Sequence, residues 1–132
     1  MTRTNAKNWS RENLIWAAGF LEGEGCFGVH KKPRKNKPDQ SYYYINIQAA
    51  QNQRSKDCLE KLQYILGGTI NGPYKTKTTK TKQDEMVMWT LSSQHLVYAT
   101  CVALFPFMCS RRQAKIIELI TAFSQNTRRR KF

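Results

Sequence analysis

With 132 residues, 40% of them apolar, the chain is long enough for one domain with a core of its own. Its 22 Lys and Arg against 9 Asp and Glu leave a formal charge of +13 at pH 7, more than solubility requires, which points to a polyanionic partner with nucleic acid first in line. No apolar run is long enough to span a bilayer, and the polar, basic first residues carry no secretory pattern, so a membrane protein is set aside and an intracellular one expected.

In chain order, Ser10 is placed to cap a first helix through about Leu21, with Leu14, Ala18 and Leu21 on one face. Strands are expected over 25–32 and 42–51, separated by a basic, proline-containing loop at 33–39. Phe27 and Val29 face one way in the first strand, leaving Cys26, Gly28, His30 and Lys32 on the other. In the second, Tyr43, Ile45, Ile47 and Ala49 alternate with Tyr42, Tyr44, Asn46 and Gln48. Ser55 is read as the cap of a helix bearing Leu59, Leu62, Ile65 and Leu66, which ends at Gly67 and Gly68. Strands over 69–74 and 86–91 flank a lysine and threonine loop, with Val87, Trp89 and Leu91 inward and Met86, Met88 and Thr90 outward. A helix over 93–105 is stopped by Pro106, and a last one over 110–124 turns Ile116, Leu119, Ile120 and Phe123 inward. Residues 1–8 and 125–132 read as flexible basic tails of a single domain spanning 1–132.

The cations are clustered. Five lie between Lys31 and Lys37, four between Lys75 and Lys82, and four between Arg128 and Lys131. Each run alone is compatible with a solvated loop; together they suggest phosphate contacts. The four cysteines include no Cys-x-x-Cys pair and no paired histidines, so neither a zinc site nor a disulfide framework is indicated. His30 and His95 stand alone and form no recognisable triad with a serine or cysteine.

The segment Trp16 to Phe27 places Glu22 and Glu24 among Gly19, Gly23 and Gly25 at the end of an apolar, small-residue helix. Each glycine weakens a helix interior by about 1 kcal/mol. Ala17, Ala18 and Gly19 offer a smooth face for close approach of another backbone, and Gly23 and Gly25 are expected to let the chain leave the helix in conformations closed to other residues. Glu24 then emerges where the helix dipole is negative, which favours a cation beside it, a divalent ion above all. A sheet with Tyr, Asn, Gln, His and Lys on its outer face suits a DNA major groove.

Ala17 to Gly25 resembles the LAGLIDADG motif of homing endonucleases in a Gly-Glu-Gly variant, and the element order resembles that family's αββαββα core with a further C-terminal helix. The resemblance spans nearly the whole chain and implies an α+β fold with an antiparallel four-stranded DNA-binding sheet. The motif occurs once, and single-motif members work as homodimers packed through their motif helices. That assigns Leu14, Ala17, Ala18, Gly19 and Leu21 to a dimer interface.

By position, the resemblance makes Glu24 the ligand of a divalent metal, helped by the Gly23 carbonyl, and Glu22 a structural residue. The family commonly has aspartate at the metal position, but glutamate is also a hard oxygen ligand. Gln48 resembles the strand residue that positions the hydrolytic water, and Arg111 or Arg112 the basic residue that stabilises charge at the phosphate. The expected metal is Mg2+, with Mn2+ or Ca2+ able to occupy the same oxygen site. Expected DNA contacts are His30, Lys32, Tyr42, Tyr44, Asn46, Gln48, Asn71 and Thr90 on the sheet, and Arg34, Lys35, Lys75, Lys77 and Lys80 in the basic loops.

The function implied is a site-specific endonuclease making a metal-dependent double-strand break in a long pseudo-palindromic DNA site. The alternative is a non-catalytic protein of the same fold, an intron RNA splicing maturase or a DNA-binding regulator. An organelle, or the cytoplasm of a microbial host, is the expected compartment.

Overall fold

The structure, a computed structural model, describes residues 8–130, with the side chains at 37–40 and 127–130 left undescribed. The tail assigned to the first residues therefore lies outside the described residues up to position 7, as do positions 131 and 132 of the other tail. The elements run α1 (Arg11–Glu24), β1 (Gly25–Arg34), β2 (Lys37–Asn52), α2 (Lys56–Leu66), β3 (Thr69–Tyr74), β4 (Met86–Leu91), α3 (Gln94–Leu104) and α4 (Ser110–Arg130). The sheet is antiparallel with order β1-β2-β4-β3. The αββαββα order with an added helix is thus present.

Period-two alternation sends Phe27, Ile45, Ile47, Val87, Trp89 and Leu91 to one face of the sheet, where they are buried. All four helices pack against that face, contributing Leu21, Leu62, Leu104 and Leu119 among others. Among the described residues, no helix covers the other face. Trp89 closes the far side of this core by donating its indole N–H to the Gly67 carbonyl at 2.8 Å. Gly67 and Gly68 have φ of 82° and 90°, and a Cβ on Gly68 would stand 2.7 Å from the Thr90 carbonyl, so the helix ends on the residues expected.

Several local expectations are corrected. The stretch 33–39 is a continuation of the hairpin, with β1 and β2 running on to a tight turn at Lys35 and Asn36. Pro33 is compatible with this because β1 is an edge strand, and the register shifts between Pro33 and Arg34. Ser10 accepts the Asn13 N–H at 3.1 Å as its capping role requires, but Ser55 makes no cap hydrogen bond. The last helix does not fray at Ser124; α4 runs to Arg130, so 125–130 are helical rather than a tail. Asn8 is likewise held, its carboxamide donating to the Tyr64 carbonyl at 2.9 Å. Among the described residues, no helix is long and apolar enough to cross a membrane.

Candidate metal and nucleic-acid site

The two glutamates at the end of α1 have different surroundings. Glu22 Oε1 accepts the Cys109 N–H at 2.8 Å, just ahead of α4, and so supplies an acceptor to that helix's unpaired N-terminus. Arg112 returns from the first turn of α4 to donate to the Glu22 carbonyl at 3.1 and 3.3 Å, with its Nε 3.8 Å from Glu22 Oε2. Its guanidinium also lies 5.9 Å from the Phe27 ring centroid. Glu22 and Arg112 therefore latch the end of α1 to the start of α4. Glu24 is exposed, and no hydrogen bond or ion pair of its carboxylate is seen among the described residues.

Gly25 is required at the exit of α1 for a steric reason. Its φ is −85°, ordinary for any residue, but a Cβ there would lie 2.7 Å from the Leu21 carbonyl oxygen. Gly23 is helical, so neither glycine provides the special conformation expected of it; positive φ occurs at Gly67, Gly68 and Gly72 among the described residues.

Gln48 lies on the outer face of the sheet, opposite Cys26 on one side and Thr90 on the other. Cys26 is two residues beyond Glu24, so the topology brings Glu24 and Gln48 to the same end of the β1–β2 pair. Beside them is a cleft of about 280 Å³ lined by Gly25, Cys26, Arg111, Arg112, Lys115 and Glu118, among others. Arg111 is exposed at this cleft, whereas Arg112 is committed to Glu22. Lys115 was missed in the sequence; its signal was a spacing of four from Arg111, which puts both cations on one helix face. It pairs with Glu118 at 3.0 Å.

The outer face carries the expected polar set. Lys32 Nζ sits 4.9 Å from the Tyr44 ring centroid and His30 tilts against the same ring at 5.8 Å. Tyr42 pairs with Lys32, and Asn71 with Met88. Asn46 is only 8% exposed, because its side chain and that of His30 fold over Gly28, where a Cβ would meet Asn46 Oδ1 at 2.3 Å. Arg34 and Lys35 are at the hairpin tip. Lys75, Lys77 and Lys80 stand exposed on the loop after β3. That loop is anchored at its far end by the Arg54–Asp84 ion pair and by the Gln53 N–H donating to the Glu85 carbonyl at 2.8 Å. Desolvation raises the Asp84 carboxyl, but the Thr81 hydroxyl, Arg54 and the Thr81 and Lys80 N–H groups together hold it below its ordinary value.

The expected dimer face needs correction. Ala17, Ala18 and Leu21 are fully buried in the chain's own core, and Leu14 packs partly against it. The outward stripe of α1 runs through Ile15, 44% exposed, Gly19 and Gly23. A Cβ on either glycine would meet nothing within 4 Å. Helical periodicity sets Gly19 and Gly23 on the side opposite Ala17 and Leu21.

As a metal site, one chain offers little. Among the described residues no group of three or more His, Cys, Asp or Glu side chains converges. Glu24 and the Gly23 carbonyl, which has no intrahelical partner in the last turn, are hard oxygen donors. Such a pair fits a hydrated divalent ion completed by phosphate oxygens or a second copy.

A comparison with curated proteins found no match. Solved structures share the fold. The homing endonuclease I-CvuI, in complex with its target in the presence of Ca, has a TM-score of 0.70 and 18% identity over 89% of this chain and 71% of that one. I-TnaI has a TM-score of 0.68 and 15% identity over 87% of this chain and 74% of that one. I-SmaMI, bound to cleaved DNA, has a TM-score of 0.68 and 18% identity over 87% of this chain and 37% of that one. The model of the LAGLIDADG endonucleases matches residues 17–117, most of the chain and every element from α1 into α4, so the chain belongs to the LAGLIDADG endonuclease family.

Proposed function

We propose that the protein is a site-specific DNA endonuclease that acts as a homodimer and needs a divalent metal, Mg2+ first. The observation that carries this reading is the unequal state of the two glutamates: Glu22 is consumed by Cys109 and Arg112, while Glu24 is exposed and, among the described residues, unpaired at the negative end of α1. An acidic side chain left free at that place is destabilising unless a cation joins it. The DNA complexes of I-CvuI and I-SmaMI, the former solved with Ca or Mg, support the choice of substrate.

In this reading Glu24 and the Gly23 carbonyl hold the ion, which supplies charge stabilisation at the scissile phosphate and the leaving 3′ oxygen when bound. Gln48 orients the attacking water. Arg111 with Lys115 faces the phosphate, and Arg112 keeps the end of α1 in place. Gly19 and Gly23, with Ile15, form the contact stripe between copies, which sets the two Glu24 carboxylates near the dyad, where each repels the other until metal is present. The outer face of each sheet reads half of a long, roughly palindromic site, and the basic hairpin tip and lysine loop hold phosphates.

Cleavage of a randomised duplex library with and without Mg2+, wild type beside Glu24→Gln, tests this. Enrichment of one long pseudo-palindromic site that depends on both is the expected result. Tight, salt-sensitive binding with no cutting would instead identify a binding protein of the same fold.

A further inference from the structure

β2 is longer than the strand covering its inner edge. β4 pairs with it from Ile47 to Asn52, whereas β1 follows it from Ala49 to Lys37. Beyond Ile47, no strand among the described residues lies beside that edge; the ribbon there rests on the core through Val29, Tyr43 and Ile45, and the backbone groups of its inner edge need other partners. Two side-chain carboxamides occupy the places of the missing rungs. Gln94 Oε1 accepts the Ile45 N–H at 2.9 Å, and its Nε2 donates to the Ile45 carbonyl at 2.8 Å. Asn126 repeats the pattern at Tyr43, its Oδ1 accepting the N–H at 2.9 Å and its Nδ2 donating to the carbonyl. A primary carboxamide presents an acceptor and a donor side by side, the same pair that a strand residue offers its neighbour.

The two carboxamides are themselves braced. Gln94 opens α3 and Asn126 lies near the far end of α4, and between them Tyr98 stacks on Phe123 at 4.7 Å while His95 meets Phe123 edge-on at 5.3 Å. The ribbon they hold carries Lys32, His30, Tyr42 and Tyr44 on its outer side, away from the helices.

We propose that Gln94 and Asn126 are positioning residues for DNA recognition: without touching DNA, they fix the overhanging β1–β2 ribbon in the attitude in which its outer side meets the duplex. This rests on the endonuclease reading above. A ribbon that is in place only part of the time binds more weakly by that fraction, and its loosening leaves Glu24 and the metal untouched.

The test uses the full chain with Asn126→Leu and Gln94→Met, which remove both bonds at nearly constant volume, and Asn126→Asp, which keeps the acceptor and removes the donor. Amide exchange, affinity for the duplex selected by the wild type, and cutting rate at saturating protein are measured together. Expected are near-complete loss of protection at Tyr43 in Asn126→Leu and at Ile45 in Gln94→Met, with α2 and β4 unchanged and the ribbon in place about a tenth of the time, affinity weaker by about tenfold to match, a smaller change in Asn126→Asp, and cutting at saturation within about twofold of wild type. Protection retained at Tyr43 and Ile45, or protection lost with affinity unchanged, overturns the proposal. So does weaker binding in all three variants with exchange raised equally throughout, which would assign the effect to general destabilisation. Wild type that binds no duplex DNA at all removes the endonuclease reading and this proposal with it, and that result is distinguished by needing no variant.

Discussion

Glu22 and Glu24 are two residues apart and differ in what each touches, and that difference sets two opposite outcomes. Replacing Glu24 with Gln keeps shape and removes the charge that would hold a metal; cutting is expected to fall by about a thousandfold or more, with folding and DNA binding retained. Replacing Glu22 with Ala removes the acceptor from the start of α4 and one partner of Arg112. The expected loss is about 1 to 2 kcal/mol of stability in urea unfolding, with the cutting rate of the folded fraction little changed. Reversal of the two outcomes would exchange the roles assigned to the pair. The thiols divide in the same way. Burial pushes the Cys101 thiol up to about 12, while Cys26 and Cys109 are exposed. Between its ordinary value of 9.0 and about 12, Cys101 keeps a proton in the folded chain that the unfolded chain has released, so its contribution to stability is intact below 9.0 and declines as pH rises through that window. Iodoacetamide at neutral pH is expected to modify Cys26 and Cys109 and to spare Cys101, read by peptide mass.

At the scale of elements, strands were legible and helix faces less so. Alternation in β2 and β4 has a period of two, so a single buried residue such as Trp89 assigns every other side chain in its strand. α1 carries Leu14, Ile15, Trp16, Ala17, Ala18, Phe20 and Leu21, apolar almost all round, and no unique face can be read from such a helix. Small size made Ala17 and Ala18 look like contact residues for a second copy, yet both are buried in the chain's own core. Proline at position 33 similarly argued for a loop, because the sequence does not reveal that β1 is an edge strand where a missing N–H costs nothing. Gln94 and Asn126 were invisible for another reason: their partners are 49 and 83 residues away, and no local pattern marks a carboxamide that will meet a strand edge. The outward stripe of α1 yields a prediction with two opposed signs. Gly19→Ala replaces a poor helix former in open space, so a monomer should gain up to about 1 kcal/mol. A homodimer with closely packed α1 helices should instead weaken, and Gly19→Leu should leave a folded monomer by sedimentation. A dimer that survives Gly19→Leu would place the interface elsewhere.

For the whole molecule, charge and architecture act together. Among the described residues the helices cover one face of the sheet and leave its polar outer face uncovered, and a pair of chains doubles the formal charge of +13. Binding that neutralises phosphates releases counterions, so its logarithm should fall linearly with the logarithm of salt concentration. If each chain of a dimer engages about four phosphates, the slope is about −7. Changing Lys75, Lys77 and Lys80 to Gln should make it shallower by about one for each phosphate that is no longer neutralised, across all duplex sequences alike, since interactions with the DNA backbone carry no base information. Changing Tyr44 or Thr90, by contrast, should alter which sequences are bound and leave the slope nearly where it was, because uncharged side chains release no counterions. The two measurements separate the halves of the interface: a slope that ignores the lysine loop would remove that loop from the DNA-binding surface, and a sequence preference that ignores Tyr44 and Thr90 would move base reading off the centre of the sheet.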